Sequence, residues 1–426
     1  MADQRPAESG RYTLHGAAET YAQLEGLRRL SDRGRFITTQ SDVTGEQSGA
    51  PANRRIRLLY LMHVDWNWIW QRPQAIAEEL VADGRFSVRV AYLPNWRRRR
   101  LIPNASSVQR QAIWQMPFGR VGVIRAINRC LVRASLRLLA KRFKPDTVLI
   151  TYPTLLSVLP SGLARLPLFY DCMDLASGFA SGPADVERLH RIEDLVIERS
   201  AGVFVSSEFI GDTVRSRHVA SRPVLVRNGF GGIGSLGIAD EPSRFEDPGR
   251  LVRLGYFGTV STWFDSRLVI DALVAHPRLE VHVWGPLVAV LPQHRRLFVH
   301  AAVSHGHLAA AVREVDALIM PFVLSDLVRG VDPVKLYEYV ALGKPVLSVH
   351  YPELDQFTGL VHFYDGKAEL DVLLDRLRDS RNAMRPDPVA ARSFLDAATW
   401  HSRAAIIADE IDRALGRDAP GPPDRV

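Results

Sequence analysis

The 426-residue sequence contains only two cysteines, Cys130 and Cys172, and no apolar run of about 18 residues or more. The first scarcity excludes a disulfide-stapled fold, and the second excludes a membrane-spanning helix. The opening residues, Met1-Ala-Asp-Gln-Arg-Pro6, lack the apolar core of a secretory signal, so a reducing cytoplasm is the expected home. Lysine is also scarce, occurring only at Lys141, Lys144, Lys335, Lys344 and Lys367, so arginine carries the net charge of +7. That basic balance suits nucleic acid, an anionic membrane face or phosphorylated small molecules. Helix-turn-helix, RNA-binding aromatic and zinc-ligand patterns are all missing, so nucleic acid is not an expected partner. A hydrophobic content of 46% with 24% charged residues is that of an ordinary globular protein long enough for two cores.

Residues 1–53 are polar and rich in Ala, Gly, Arg, Ser and Thr, and read as a flexible or loosely docked extension. From there, short apolar strand candidates alternate with helical patterns. Strands fall at 57–62, 86–92, 147–151, 166–170, 203–206 and 224–227, and helices at 71–82, 121–143, 184–199 and 208–217. A Gly-rich break runs from Asn228 to Gly249, and a second series starts at Leu251. Its strands fall at 251–257, 279–284, 297–303, 317–321, 345–349 and 361–364, before a helical pattern at 396–415. Such alternation implies an α/β fold with parallel sheets wound by helices on both faces. The expected division is 54–230, 250–395, a helix over 396–416 and a Pro/Gly tail over 417–426.

Gly330-Val-Asp-Pro-Val-Lys-Leu-Tyr-Glu-Tyr-Val-Ala-Leu-Gly-Lys-Pro-Val346 is the most informative segment. Asp332 is a good helix cap, and Pro333 then occupies the first helical position, where its missing N–H costs nothing. The helix start directs free N–H groups and a positive dipole end at the preceding loop, a ready anion site. Lys335 in that first turn is unfavourable for the helix unless an anion lies beside it. Glu338 follows one turn later on nearly the same face, and Gly343 ends the helix. Dipole and ammonium for phosphates, with a carboxylate for hydroxyls, suit a nucleotide diphosphate bonded to a sugar. Read alone, the same two residues also fit an ordinary solvated i,i+3 pair.

The pattern Pro-x-Lys-Leu-Tyr-Glu-Tyr-x-Ala-x-Gly-Lys-Pro-Val resembles the donor-site motif of GT-B glycosyltransferases, especially the large retaining group called family 4. The resemblance implies two Rossmann-like doubly wound domains facing across a cleft over residues 56–415. It also implies a last helix crossing back to the first domain, and Thr399-Trp-His-Ser-Arg403 resembles the start of that helix. It assigns Lys335 to the donor diphosphate, Glu338 to the ribose hydroxyls and Leu336 to the same donor site. Trp70-Gln-Arg-Pro-Gln74 resembles the N-terminal signature of bacterial cell-surface-polysaccharide glycosyltransferases.

Ligands of such sheets sit beyond the carboxyl ends of the strands, so the segment from His63 to Arg72 is expected on the acceptor side. Trp66, Trp68 and Trp70 offer flat faces to a sugar or pack in the core, and His63 and Asp65 are the polar groups near the acceptor hydroxyl. Asp171 and Asp174 lie where these enzymes carry acidic or His residues near the reacting sugar; capping is the alternative. The expected catalytic set is Asp65, Asp171, Asp174 and Lys335. In the second half, Gly258 permits close approach, and the N–H groups of Thr259 and Val260 reach the phosphates. His282-Val-Trp-Gly-Pro286, with Trp284, resembles the wall behind the nucleotide base, and Arg329 is a second diphosphate contact.

Asp-x-Asp does not occur, which argues against the metal-dependent GT-A enzymes; neither a metal nor a cofactor beyond the nucleotide-sugar substrate is expected. Two departures from the family pattern stand out. Gly330 takes the place of a frequent Glu, and Thr259, Ser261 and Arg267 stand where many members carry an Arg and a Lys. A sugar-nucleotide epimerase on the same fold and an inactive binding subunit therefore stay open as alternatives. Finally, Arg125, Arg129, Arg133, Arg137 and Lys141 repeat every four residues, near Trp96-Arg-Arg-Arg-Arg100. This reads as a basic stripe docking superficially on the inner face of an anionic membrane that presents a lipid-linked glycan, or as a solvated helix face.

Overall fold

The computed structural model describes residues 54–67, 70–94, 106–117, 122–231, 251–301, 310–311 and 313–416. The N-terminal extension, the Gly-rich break beyond Gly231, the tail, Trp68 and the Arg97–Arg100 run lie outside the described residues. The first sheet is built from β1 (Ile56–Met62), β2 (Phe86–Tyr92), β3 (Gln109–Ala112), β4 (Thr147–Ile150), β5 (Leu168–Cys172), β6 (Ser200–Val205) and β7 (Val224–Leu225). The second is built from β8 (Val252–Phe257), β9 (Leu279–Trp284), β10 (Leu297–His300), β11 (Ala317–Met320), β12 (Val346–Val349) and β13 (His362–Tyr364). Their orders are β3-β2-β1-β4-β5-β6-β7 and β10-β9-β8-β11-β12-β13, with parallel pairing throughout. Both repeat the 3-2-1-4-5-6 order of nucleotide-binding doubly wound sheets, whose switch points lie between β1 and β4 and between β8 and β11.

Central strands of such sheets are covered on both faces, which is why β1 and β4 are almost wholly buried apolar runs. β3, Gln109-Arg-Gln-Ala112, has no such pattern and escapes the sequence reading; it exists by edge pairing to β2. The covering helices are α1 (Arg72–Ala82), α2 (Gly122–Phe143), α3 (Pro183–Arg199) and α4 (Glu208–Arg217) in the first unit. The second has α5 (Ser266–Ala275), α6 (Val334–Ala341), α7 (Lys367–Ser380) and α8 (Pro388–Ala397).

The helical pattern at 396–415 is not one helix. Thr399 interrupts it, its Oγ1 accepting from Ser402 N at 3.1 Å, and α9 (Trp400–Ala414) starts there. α9 buries Trp400, Ala404, Ile407 and Ile411 in the core formed by Ile56, Leu58, Ile76 and Leu80, far upstream in sequence. Arg85 adds ion pairs to Asp409 (2.7 Å) and Asp412 (2.8 Å). Two Rossmann-like parallel sheets with the last helix returned to the first make this a GT-B fold.

Candidate active site in the interdomain cleft

Gly258 ends β8 with φ +148°, and Lys335 lies directly over it. A Cβ at Gly258 would fall 2.0 Å from Lys335 Cε and 2.7 Å from Nζ. Gly285 ends β9 in the same manner, with φ +145°, and a Cβ there would fall 2.1 Å from the Gly258 carbonyl oxygen. Two neighbouring strands are thus followed by bare backbone, with the lysine over Gly258 and the Gly258 backbone against Gly285. Tyr339 sets that approach of α6: its Oη accepts from Phe257 N (2.8 Å) and donates to Phe257 O (3.2 Å). Burial lowers the pKa of the Lys335 ammonium, and Glu338 one turn along opposes the shift.

Asp332 does not cap α6. Its buried carboxylate accepts from Asn228 N (2.6 Å), Tyr337 Oη (3.0 Å) and Gln356 Nε2 (3.1 Å). Pro333 becomes the N-cap residue, and no side chain caps the helix. An uncapped first turn beside a half-buried ammonium retains its anion-attracting character. Burial pushes the Asp332 carboxyl up to about 6, against the hydrogen bonds from Asn228 and Tyr337. Arg329 is exposed at the end of the single helical turn Asp326–Arg329 that leads into this segment.

Three expected donor contacts are corrected. Val260 N–H is bound to Pro286 O at 2.9 Å and the residue is buried, so it is not offered to phosphates. Leu336 lies in the second unit's core. Trp284 stands between Phe257 (4.5 Å, 8°) and His300 (4.6 Å, 15°) in one stacked row across β8, β9 and β10, which leaves no open face for a base. Thr259 is half-buried, its carbonyl accepting from Tyr256 Oη (2.9 Å) and Trp263 Nε1 (3.3 Å). A cavity of about 430 Å³ opens beyond that row, lined by Leu287, Leu291, His294 and Val299, and neither Lys335 nor Glu338 lines it.

At the first switch point, His63 follows β1 and meets Thr151, which follows β4. Thr151 Oγ1 lies 3.4 Å from Leu61 O, accepts from His63 N (3.1 Å) and shares a 2.8 Å hydrogen bond with His63 Nδ1. Burial lowers the His63 pKa to about 4, so the ring is neutral at pH 7. Thr151 was not singled out from the sequence; its only signal is its place directly after a strand.

The pKa of His63 has a measurable outcome. As pH falls, an unfolded imidazole protonates near 6.5, whereas the folded one resists to about 4. The unfolded state then holds more protons, so stability is full above about pH 7 and declines between pH 7 and 4. Urea midpoints at pH 7.5 and pH 5 should show the gap between wild type and His63→Asn narrowing at the lower pH.

Asp65 accepts from Asn67 N at 2.9 Å, closing a tight turn after β1. Trp66 is completely buried in the first core, beneath the Arg110 guanidinium at 5.5 Å, so it is not an acceptor platform. Trp70, by contrast, is 44% exposed and edge-on to it. Arg72 and Asp171 are both buried and bound to each other, Nη2 to Oδ1 at 2.7 Å and Nε to both carboxylate oxygens at 3.1 Å. Neither is presented to a ligand, which corrects their catalytic and acceptor-binding assignments. Arg72 Nη1 also donates to Val226 O (2.6 Å), anchoring the chain just before the domain crossing. Asp174 is half-buried after β5, and burial pushes its carboxyl up to about 7, with Arg72 opposing and Asp171 reinforcing.

The two units meet in direct contacts. Val334, adjacent to Lys335, packs on the first unit's core. Ser207 Oγ donates to Gly330 O (2.8 Å), Glu353 accepts from Glu208 N (2.8 Å) and pairs with Arg227, and Asn228 Nδ2 donates to Asp332 O (2.6 Å). Gly330 is where a side chain would crowd α4: its Cβ would meet Phe209 Cδ1 at 3.3 Å.

No protein-family model matches the chain, and no curated protein matches it. Solved structures do match over most of the chain. Sucrose-phosphate synthase from Thermosynechococcus elongatus superposes with a TM-score of 0.65 at 13% identity, over 85% of this chain and 100% of that one. Anabaena HepE in complex with UDP and glucose gives 0.59 at 13% identity, over 84% and 100%. The lipopolysaccharide outer core galactosyltransferase WaaB gives 0.58 at 12% identity, over 84% and 99%. The shared property is the fold.

Proposed function

We propose that this protein transfers a sugar from a nucleotide diphosphate donor to a growing, lipid-linked cell-surface glycan, with retention of configuration and without a metal. The observation that carries the reading is Lys335 lying across Gly258 at the second switch point, beside the uncapped start of α6. There the ammonium, Arg329 and the helix dipole would neutralise the departing diphosphate, and Glu338 would hold the ribose hydroxyls. The bond between the anomeric carbon and the diphosphate oxygen breaks, the acceptor oxygen bonds to the same face, and the acceptor proton passes to the leaving group. His63, Asp65 and Asp174 would orient the acceptor hydroxyl. HepE, described with UDP and glucose, supports UDP-glucose as the first donor to try.

Lys335→Ala and Glu338→Ala should each weaken nucleotide binding about tenfold or more, since a charge-assisted contact contributes about 1.5–3 kcal/mol. Calorimetry with UDP and GDP reads this directly, and wild-type binding by both variants would refute the site. Product analysis with nucleotide sugars then separates transfer, which yields free nucleotide diphosphate and a glycosylated acceptor, from epimerisation or mere binding.

A further inference from the structure

Of the 54 basic and 47 acidic residues, fifteen basic ones and none of the acidic ones lie between Asp83 and Asp146. The rest of the chain is net negative, so the whole positive balance resides in this window. α2 is its described centre. It buries Asn128, Val132, Leu136 and Leu139 against the first unit. The opposite, solvent-facing line is apolar as well: Val123, Ile127, Cys130, Ala134 and Leu138 recur at intervals of three and four. Val123 is 70% exposed, Ile127 41% and Leu138 48%. Exposed Arg129, Arg137, Lys141 and Arg142 accompany that line without an ion pair to any described residue. Exposed Trp114 and Met116 are tied to the same helix by Asn128, whose Oδ1 accepts from Met116 N (2.7 Å) and whose Nδ2 donates to Met116 O (3.0 Å).

The cations spaced every four residues do not form one face. Each step drifts about 40° around a helix of 3.6 residues per turn. Arg133 accordingly turns to Ser157 O at 3.0 Å, and Lys141 reaches the outer line.

We propose that this outer face of α2 inserts into the headgroup region of an anionic bilayer, its apolar line entering the acyl boundary while the cations bind lipid phosphates. Charge selects this occupant. A second copy of the chain would oppose cations with cations, and nucleic acid would leave the apolar line uncovered. An anionic lipid surface satisfies both, with the helix lying in the interface plane. The apolar line adds hydrophobic burial to the superficial docking expected from the sequence, so salt should weaken binding without abolishing it. The proposal is independent of sugar transfer, because docking needs neither donor nor acceptor.

The test uses the full chain with vesicles of phosphatidylglycerol and phosphatidylcholine, or phosphatidylcholine alone, over a salt series. An environment-sensitive label goes on exposed Cys130, Cys172 being buried. Expected are co-sedimentation with the anionic vesicles alone, partial retention at high salt and blue-shifted label emission. Val123→Ser/Ile127→Ser/Leu138→Ser should lower partitioning about tenfold or more, and Arg129→Glu/Arg137→Glu should abolish it. Both variants should bind nucleotide like wild type, which separates this result from failure of the donor site. Full release by salt with an unshifted label would overturn insertion. Equal pelleting with neutral vesicles, lipid-free self-association through this face, or displacement from vesicles by duplex DNA would each overturn the anionic-bilayer assignment.

Discussion

Arg72→Met should lower the unfolding free energy by about 3–5 kcal/mol, because it strands a buried carboxylate without its partner. Asp171 is fully buried and its oxygens face the guanidinium through three hydrogen bonds. The same guanidinium holds Val226 O and Arg227 O, so its removal also frees two backbone acceptors. Urea unfolding should show a lower midpoint with little change in slope. The double variant Arg72→Met/Asp171→Leu should recover much of the loss, since a buried ion pair replaced by packed apolar groups is often neutral or stabilising. A single variant as stable as wild type would mean that the pair contributes nothing to holding β5 against α1.

Gly258→Ala should impair nucleotide binding at least as strongly as Lys335→Ala, by about tenfold or more. Its methyl group would overlap Lys335 Cε, at 2.0 Å, and its φ of +148° is one that alanine rarely adopts. Holding a side-chain-bearing residue there costs about 1–3 kcal/mol, and moving the lysine instead removes the ammonium from the strand end. If the glycine acts by admitting Lys335, the two substitutions together should be little worse than either alone. Additive losses, read by calorimetry, would show that the glycine and the lysine act separately.

The fold was legible because its signal is local and repeated. Apolar runs such as Leu58-Leu-Tyr-Leu61 can only be central parallel strands when helices alternate with them. The placement of Lys335 and Glu338 on one helix turn was legible for the same reason. What the sequence could not supply is what lies across from each residue. Trp66, Leu336 and Val260 look like surface groups in a loop or motif, and the structure buries all three. Asp171 follows an apolar strand as a catalytic carboxylate would, but its partner Arg72 lies 99 residues upstream. Asp332 had every local feature of a cap and is drawn away by Asn228, 104 residues distant. The edge strand β3 carries no pattern at all because pairing, not burial, makes it.

The covalent chain passes from the first unit to the second after Phe230 and returns at Thr399, and these two passages lie side by side. Phe230 N donates to Ala398 O at 2.7 Å, Arg403 Nε donates to Asn228 O at 3.1 Å, and a Cβ on Gly229 would fall 2.7 Å from Trp400 N. Two tethers bonded to each other behave mechanically as one pin. A relative motion of the halves would then be a swing about that pin, largest at the positions farthest from Gly229. If the proposed sugar transfer depends on that swing, stiffening or loosening the pin should alter turnover and apparent substrate affinity together.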